Sequence, residues 1–362
     1  MILSGLFGYY LLTHSDVTYI TPNFWNSKWE MLKCVALLNE DDSNFRELME
    51  WCRQTRLLHF DSAPMKKNIT DEVVKIDEGA TCDVYRLKSK RILKLIPIED
   101  NDFKPALLTL RICLEMAKLI KGNSQNRAPN LVPVEDCKLV EGPLPEPMVK
   151  AWEAYLEEYD SDSTHPRDWP ANQIFLFIVS PDAGQPLSTY RQVDTKTAEC
   201  IFKQLAWTLA VAEAELSFEH RDLHMGNVLI DSTGYPTLTF RYKGQIVEVP
   251  SEGVRANIID FSYSRLTDPS GRLFFTDFSE ESPSKFNRSL LFRLMKLKNY
   301  NRWDEFKPQT NIIWLHYLLT QILSYKLAPH SRPDTLLDLL QRIQTYSSAE
   351  ELVTKDAFFK RD

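Results

Sequence analysis

The residues from Phe218 through Glu219, His220, Arg221, Asp222, Leu223, His224, Met225 and Gly226 to Asn227 carry the side chains whose types and spacing point most directly to chemistry. Asp222 offers a carboxylate that can accept the proton of an attacking hydroxyl. Asn227, five positions on, offers an amide oxygen suited to a hard divalent cation. A second carboxylate, Asp260, ends the apolar run Ile258-Ile259 and stands 38 positions after Asp222 in the numbering. Phosphoryl transfer requires a protein chiefly to align a nucleophile with a nucleoside triphosphate and to neutralise phosphate charge. Asp222 as base, Asn227 and Asp260 as magnesium ligands, and Lys94 as the cation that meets the phosphates of ATP fill those roles. His220 and Arg221 are expected to support the loop, His220 through backbone hydrogen bonds and Arg221 through a nearby carboxylate or the strand carrying Asp260. His224 is a candidate for contact with the transferred phosphate, with a packing role as the alternative.

The flanking sequence must position these groups. Val73, Val74 and Ile76, then Val84 to Leu87, then Ile92 to Ile96 predict three strands of a small antiparallel sheet, with Lys94 in the third. Pro105 suits a first helical turn, and Leu107, Leu108, Leu110, Leu114 and Leu119 give an apolar face ending at Gly122. The continuous apolar run Ile174 to Val179 predicts a buried strand leading to a hinge near Pro181 and Gly184. Ile201, Leu205, Leu209, Ala212 and Leu216 mark one face of a core helix that delivers the chain to His220. Beyond Asn227, Val228 to Ile230 reads as a strand, and Leu238 to Tyr242 with Gln245 to Val249 as a hairpin turning at Lys243-Gly244. The last hundred residues read as helices. Between 25 and 58, Trp29, Leu32, Leu37, Phe45, Leu48 and Trp51 predict two short helices broken at 39–43. Residues 151–164 hold Glu153, Glu157, Glu158, Asp160 and Asp162 without Lys or Arg, and are expected to form a solvated linker or a peptide-binding segment.

A chain of 362 residues with 43% apolar content can bury one large two-lobed body. Its net charge of −7 argues against direct nucleic-acid binding and favours a cationic partner. Six cysteines without a CxxC pair indicate neither zinc nor a disulfide framework, and a reducing compartment is the default. The apolar opening Met1 to Leu12 lacks a basic flank and is too short to span a bilayer, so it is expected to be a buried strand or packing segment and not an anchor.

The Asp-Leu-His-x-Gly-Asn pattern on its own also resembles phosphotransferases acting on aminoglycosides and choline, in which Gly usually stands where this chain has Arg221. The wider sequence resembles the haspin family of protein kinases. The resemblance is carried by Leu209 to Ala214 running into Phe218 to His224, by Ile258-Ile259-Asp260 with Ser264-Arg265, by Arg293-Leu294-Met295, by Asn301 to Pro308, and by Trp314 to Leu318. It covers about residue 70 to the end, and like haspins the chain lacks the usual DFG and APE motifs. It implies an α+β, bilobal protein-kinase fold: an N-terminal extension over 1–69 packing on the N-lobe, a small β-rich N-lobe over 70–180, and a larger helical C-lobe over 181–362. It also implies a monomeric serine/threonine kinase using ATP and magnesium, without membrane attachment. The implied substrate is a basic histone tail, with a threonine near the start of histone three as target, and the implied location is nuclear and chromosome-associated. By the same resemblance, Gly79, Ala80, Val84, Lys94, Val179 and Gly184 would hold the nucleotide. Asp277, Glu280 and Glu281, with His224, would meet the substrate.

The pattern breaks at the ATP site. Only Gly79 remains of the glycine-rich loop, in Asp77-Glu78-Gly79-Ala80-Thr81-Cys82, and Asp77 sets a negative charge near a polyanion. Alignment on Phe103 places Thr109 where a glutamate should pair with Lys94. The nearest acidic residue on that helix, Glu115, lies six positions on, about 600° around it, and faces away. Met225 stands where the family has tryptophan. The surviving base and metal ligands favour a competent but slow kinase. A pseudokinase that binds nucleotide or a basic tail without turnover is the alternative reading.

Overall fold

The computed structural model describes residues 41–62, 65, 69, 72–79, 82–88, 90–161, 163–279 and 290–360. The expectations for Met1 to Leu12, for the first of the two short helices, for Ala80 and for Glu280 and Glu281 lie outside them. Two bodies of secondary structure face each other across a cleft. The first is a six-stranded sheet in the order β1-β5-β6-β4-β3-β2, built from β1 (Leu58–His59), β2 (Val74–Gly79), β3 (Cys82–Leu87), β4 (Arg91–Ile98), β5 (Asp136–Glu141) and β6 (Ile174–Pro181). Helices α1 (Asp41–Trp51) and α2 (Lys104–Lys121) cover one face, and α3 (Glu146–Glu158) lies over the other.

Strand alternation explains the two layers. In β6, Leu176 and Ile178 join the cluster containing Leu107 and Leu110 of α2, while Phe175, Phe177 and Val179 join Met148, Val149 and Ala151 of α3. The three central strands fall where the alternation predicts. So does α2, with Pro105 in its first turn and Gly122 as its C-cap at a positive φ of +64°. The expected linker at 151–164 is instead largely α3. Its burial of Met148, Val149, Ala151 and Trp152 leaves Glu157 and Glu158 in solvent, so the acidic stretch is one face of a packed helix.

The second body is organised around α4 (Thr195–Leu216), whose N-terminus is capped by Asp194 accepting from the Thr197 N–H at 2.8 Å. Then follow the hairpin β9 (Thr237–Tyr242) and β10 (Gln245–Pro250), and the antiparallel pair β8 (Val228–Ser232) and β11 (Val254–Ile258), which β7 (Gln185–Pro186) extends. Further on are β12 (Arg265–Thr267), β13 (Leu273–Phe275) and the helices α5 (Leu290–Lys298), α6 (Gln309–Gln321), α7 (Asp334–Arg342) and α8 (Ala349–Lys355). A continuous core runs through this half from Ile201 and Leu209 to Leu315, Leu318 and Leu352. This is the mixed α+β, kinase-like architecture expected. Among the described residues no helix is long and apolar enough to cross a membrane.

One buried cation ties the bodies together. Arg111 of α2 reaches Asp268 at 3.2 Å and Glu115 at 3.4 Å, with its guanidinium 4.1 Å from the Trp51 ring and 4.8 Å from that of Phe274. Glu47 of α1 lies 3.8 Å from Arg111 and receives both terminal nitrogens of Arg272, at 2.8 and 2.6 Å. Removing one partner of a buried ion pair leaves the others uncompensated, at a cost on the order of 3–5 kcal/mol. Arg111→Ala is therefore expected to lower the urea midpoint clearly. Lys88→Ala, which removes an exposed partner of Glu72, should change stability by about 0.5 kcal/mol or less. Equal midpoints for the two variants would contradict this account of the clamp.

Candidate active site

A cleft of about 730 Å³ opens between the bodies, and Asp222, Asn227, Asp260, Lys94, Gly79, Val84 and His224 all line it. The sheet register brings its upper wall together: Val84 pairs with Lys94 and Lys94 with Ile178, so the three stand in one row. The lower wall depends on the β8–β11 pair. Asn227 immediately precedes β8, Ile258 pairs with Val228, and the Ile259 N–H donates to the Asn227 carbonyl at 3.1 Å. This pairing brings Asp260 beside the loop despite the long separation in sequence, because the intervening residues loop out as the β9–β10 hairpin.

Lys94 donates from Nζ to Asp260 Oδ1 at 2.8 Å and to Ser262 Oγ at 3.3 Å. The helix carboxylate expected opposite it is absent: Glu115 binds Lys118 at 2.7 Å, Thr109 is buried, and Cys113 is the residue of α2 that reaches the cleft. Lys94 is nonetheless paired, by a carboxylate from the opposite body. Burial works against the Lys94 ammonium, but Asp260 outweighs it and raises its pKa. Burial likewise opposes ionisation of Asp260, yet Lys94 and the hydrogen bonds from Ser262 hold it well below the usual carboxylate range. Lys94 and Ser262 both bond Oδ1, which leaves Oδ2 for a cation.

The loop carrying Asp222 is fixed from beneath. Glu219, fully buried, accepts from Arg221 at 3.2 and 3.3 Å, from the Lys307 N–H at 2.7 Å and from Thr310 Oγ1 at 2.8 Å. Arg221 also donates to the Trp303 carbonyl at 2.7 Å. Its partner carboxylate is thus two residues away in sequence. Asn311 accepts the His220 N–H at 3.0 Å and donates to the Phe218 carbonyl and to the buried Glu213, both at 2.9 Å. His220 Nδ1 accepts the Asp222 N–H at 3.3 Å, so Nε2 carries the proton that goes to the Ile259 carbonyl at 3.0 Å. Burial lowers its pKa to about 4, consistent with a neutral ring. These contacts hold Arg221 at φ +67° and Asp260 at φ +59°, left-handed conformations that non-glycine residues adopt at a cost.

Asn227 donates from Nδ2 to the Asp222 carbonyl at 2.9 Å, which leaves its Oδ1 open to a donor or a cation. His224 Nδ1 accepts the Gly226 N–H at 3.0 Å, so its Nε2–H is the free donor, 3.9 Å from Asp222 Oδ2. A Cβ at Gly226 would lie 2.8 Å from the His224 ring, so that glycine permits the arrangement.

Two expected nucleotide contacts are corrected. Val179 is buried against α3; its neighbours Ile178 and Ser180 face the cleft, as a period of two requires. Gly184, at φ +106°, packs where a Cβ would meet the Ile230 carbonyl at 2.2 Å, a role in the turn and not in the cleft. Ala183 lines the cleft instead. Asp277 is exposed and accepts the Ser279 N–H at 2.9 Å, outside the cleft lining. Sequence reasoning missed Ser262, although a serine two positions after an aspartate is a common local hydrogen-bonding pattern. It also missed Cys113, which had no local signal.

The sequence pattern of the family described as "Haspin like kinase domain" matches residues 27–362. The chain belongs to that family. It is 31% identical over 339 residues to the serine/threonine-protein kinase haspin homolog of Arabidopsis thaliana, covering 88% of this chain and 55% of that protein. It is 28% identical over 355 residues to serine/threonine-protein kinase haspin of Bos taurus, covering 91% of this chain and 45% of that protein. The Drosophila melanogaster homolog is 29% identical over 300 residues, covering 76% and 52%. The chain spans about half the length of the curated relatives it matches.

Burial, reinforced by the charge of Asp260, pushes the Asp222 carboxyl up to about 7. Between about pH 4 and 7 the folded haspin-like chain therefore keeps a proton that the unfolded chain releases. This group's contribution to stability falls as pH rises through that window. Asp222→Asn is expected to raise the thermal midpoint at pH 8 and to leave it nearly unchanged at pH 4. An equal shift at both pH values would contradict the raised pKa.

Proposed function

We propose that this chain transfers the γ-phosphoryl group of ATP to a serine or threonine hydroxyl of a protein, with magnesium as cofactor. The observation that carries the reading is the convergence of Asp222, Asn227, Asp260 and Lys94 on one cleft, with Lys94 and Asp260 already paired. The cleft size falls in the range of small-molecule sites. Its apolar row of Val84 and Ile178 suits a nucleobase, and Lys94 lies where phosphate oxygens would enter. Asn227 Oδ1 and Asp260 would hold magnesium, which supplies charge neutralisation at the phosphates. Asp222 accepts the hydroxyl proton, and the neutral His224 offers an Nε2–H to the transferred group.

The substrate proposed is a basic peptide, first the histone three tail and its threonine near the start, with the protein at chromatin in the nucleus. The resemblance to haspins, the net charge of −7 and the exposed Asp277 support it. A second reading, nucleotide or peptide binding without turnover, is favoured by Asp77. This carboxyl lines the cleft at the phosphate loop, and burial and neighbouring Glu78 raise its pKa.

Labelled ATP, magnesium and an N-terminal histone three peptide separate the readings. Transfer that falls by about 10²–10⁴ in Asp222→Asn, with nucleotide binding retained, is the expected outcome. Peptide binding without transfer would favour the second reading. Asp260→Asn should lose magnesium-dependent stabilisation by ATP in a thermal-shift titration, and an unchanged magnesium dependence would remove Asp260 from the metal site. The rate constant kcat/KM should rise with pH along a limb centred near 7, and a flat profile from pH 6 to 8 would remove Asp222 as the base.

A further inference from the structure

Behind the phosphate loop, on the face of the sheet covered by α3, stands Lys75 of β2, a lysine whose side chain is fully enclosed. The β2–β3 ladder pairs Lys75 with Tyr85, Asp77 with Val84 and Glu78 with Asp83, so Ile76 is an extra residue, a bulge. Residues 75 and 78 would point to opposite faces of an unbroken strand; the bulge puts both on the face of Tyr85 and Asp83, while Asp77 and Val84 turn to the cleft. Glu78 and Asp83 are then two carboxylates directly opposite each other, a pairing that repels. Lys75 Nζ lies between them, 2.7 Å from Glu78 Oε2 and 2.8 Å from Asp83 Oδ1. It also donates to Ser163 Oγ at 3.1 Å, and lies 4.7 and 5.1 Å from the ring centroids of Tyr155 and Trp152 on α3. Ser161 Oγ donates to Glu78 Oε2 at 2.6 Å, and Trp152 Nε1 donates to Ser163 Oγ at 3.0 Å.

We infer, resting on the ATP site proposed above, that Lys75 is a positioning residue for the triphosphate. It touches no nucleotide. It neutralises Glu78 and Asp83, fastens the strands of the phosphate loop to α3, and so sets how the loop is presented to the phosphates.

A glycine-rich loop meets phosphates through backbone amides because side chains are absent. In this chain Gly79 alone remains, and Asp77, Glu78 and Asp83 give the loop and its flanks the wrong sign of charge for a polyanion. Lys75 cancels part of that charge from the far side of the sheet. Enclosed by two carboxylates, a hydroxyl and two rings, its ammonium is screened little by solvent, so its effect on the loop is strong. Any shift of Glu78 breaks contacts to Lys75, Ser161 and Ser163 together. The phosphate loop and the segment from α3 to Ser163 therefore move as one unit, which replaces the local freedom of the missing glycines.

The test compares the binding of ATP with magnesium and of adenosine, by titration calorimetry, in the full unmutated chain, in Lys75→Met and in Lys75→Met with Asp83→Asn. Lys75→Met is expected to weaken ATP binding on the order of tenfold and to leave adenosine binding within about twofold. Adding Asp83→Asn removes one of the opposed carboxylates and should recover part of the loss. An equal loss for both ligands, an unchanged affinity for ATP, or no recovery in the double variant would overturn the role of Lys75 and leave the kinase reading standing. An unmutated chain that binds no ATP would overturn the kinase reading and this role with it. If Lys75→Met fails to fold, hydrogen exchange in the unmutated chain decides: ATP with magnesium, unlike adenosine, is expected to protect peptides from α3 through Ser163 as well as those of β2 and β3. Protection that stops at β2 and β3 would overturn the coupling.

Discussion

The arrangement depends on one ion pair across the cleft, Lys94 with Asp260. A lysine on a central strand and a carboxylate after the β8–β11 pair are both costly when enclosed alone, and each supplies the charge the other lacks. Because α2 presents Thr109 and Cys113 in place of an acid, Lys94 draws its partner from the second body, and the contact joins the two walls of the cleft. A phosphate group entering beside Lys94 and a divalent cation entering beside Asp260 would each compete for half of this pair. The same contact therefore holds the cleft together and marks where a metal-bound triphosphate would be received.

Everything beneath the pair serves to hold Asp222 and Asn227 in reach of it. The buried carboxylates Glu219 and Glu213 organise the loop from two directions, Glu219 through Arg221 and the segment at Lys307 and Thr310, Glu213 through Asn311. Each is satisfied by several donors, which lets charged or polar groups sit in the core. Glu213 also accepts the N–H groups of Ala349 and Glu350 at the start of α8, at 3.1 and 2.8 Å. The C-terminal helix and the loop carrying Asp222 thus share one support. The ring contacts of Phe218, His220 and Phe261, with centroids 5.6 to 6.1 Å apart, carry the same support up to the residue after Asp260.

What could be read from the residues alone follows from the range of the interactions. The loop from His220 to Asn227 and the acid at Asp260 are legible because their chemistry is written in local spacing. The strands through Val84, Lys94 and Ile178 are legible because burial imposes a period of two. Val179 was expected in the cleft because a continuous apolar run does not say which alternate residues face which layer; only pairing with Lys94 decides it. The acidic stretch after Ala151 concealed a helix because its apolar anchors, Met148, Val149 and Trp152, straddle the start of the charged window. The partner of Lys94 and the clamp on Arg111 join residues more than a hundred and fifty positions apart, and no local pattern could announce them.

The central claim is that Lys94, Asp222, Asn227 and Asp260 receive one metal-bound triphosphate together. A crystal structure of the chain with magnesium and a non-hydrolysable ATP analogue tests it most directly. The account predicts magnesium bound by Asn227 Oδ1 and an Asp260 oxygen, phosphate oxygens at Lys94, and Asp222 facing the terminal phosphate. A nucleotide bound with its phosphates away from Lys94, or a metal held by neither Asn227 nor Asp260, would contradict it.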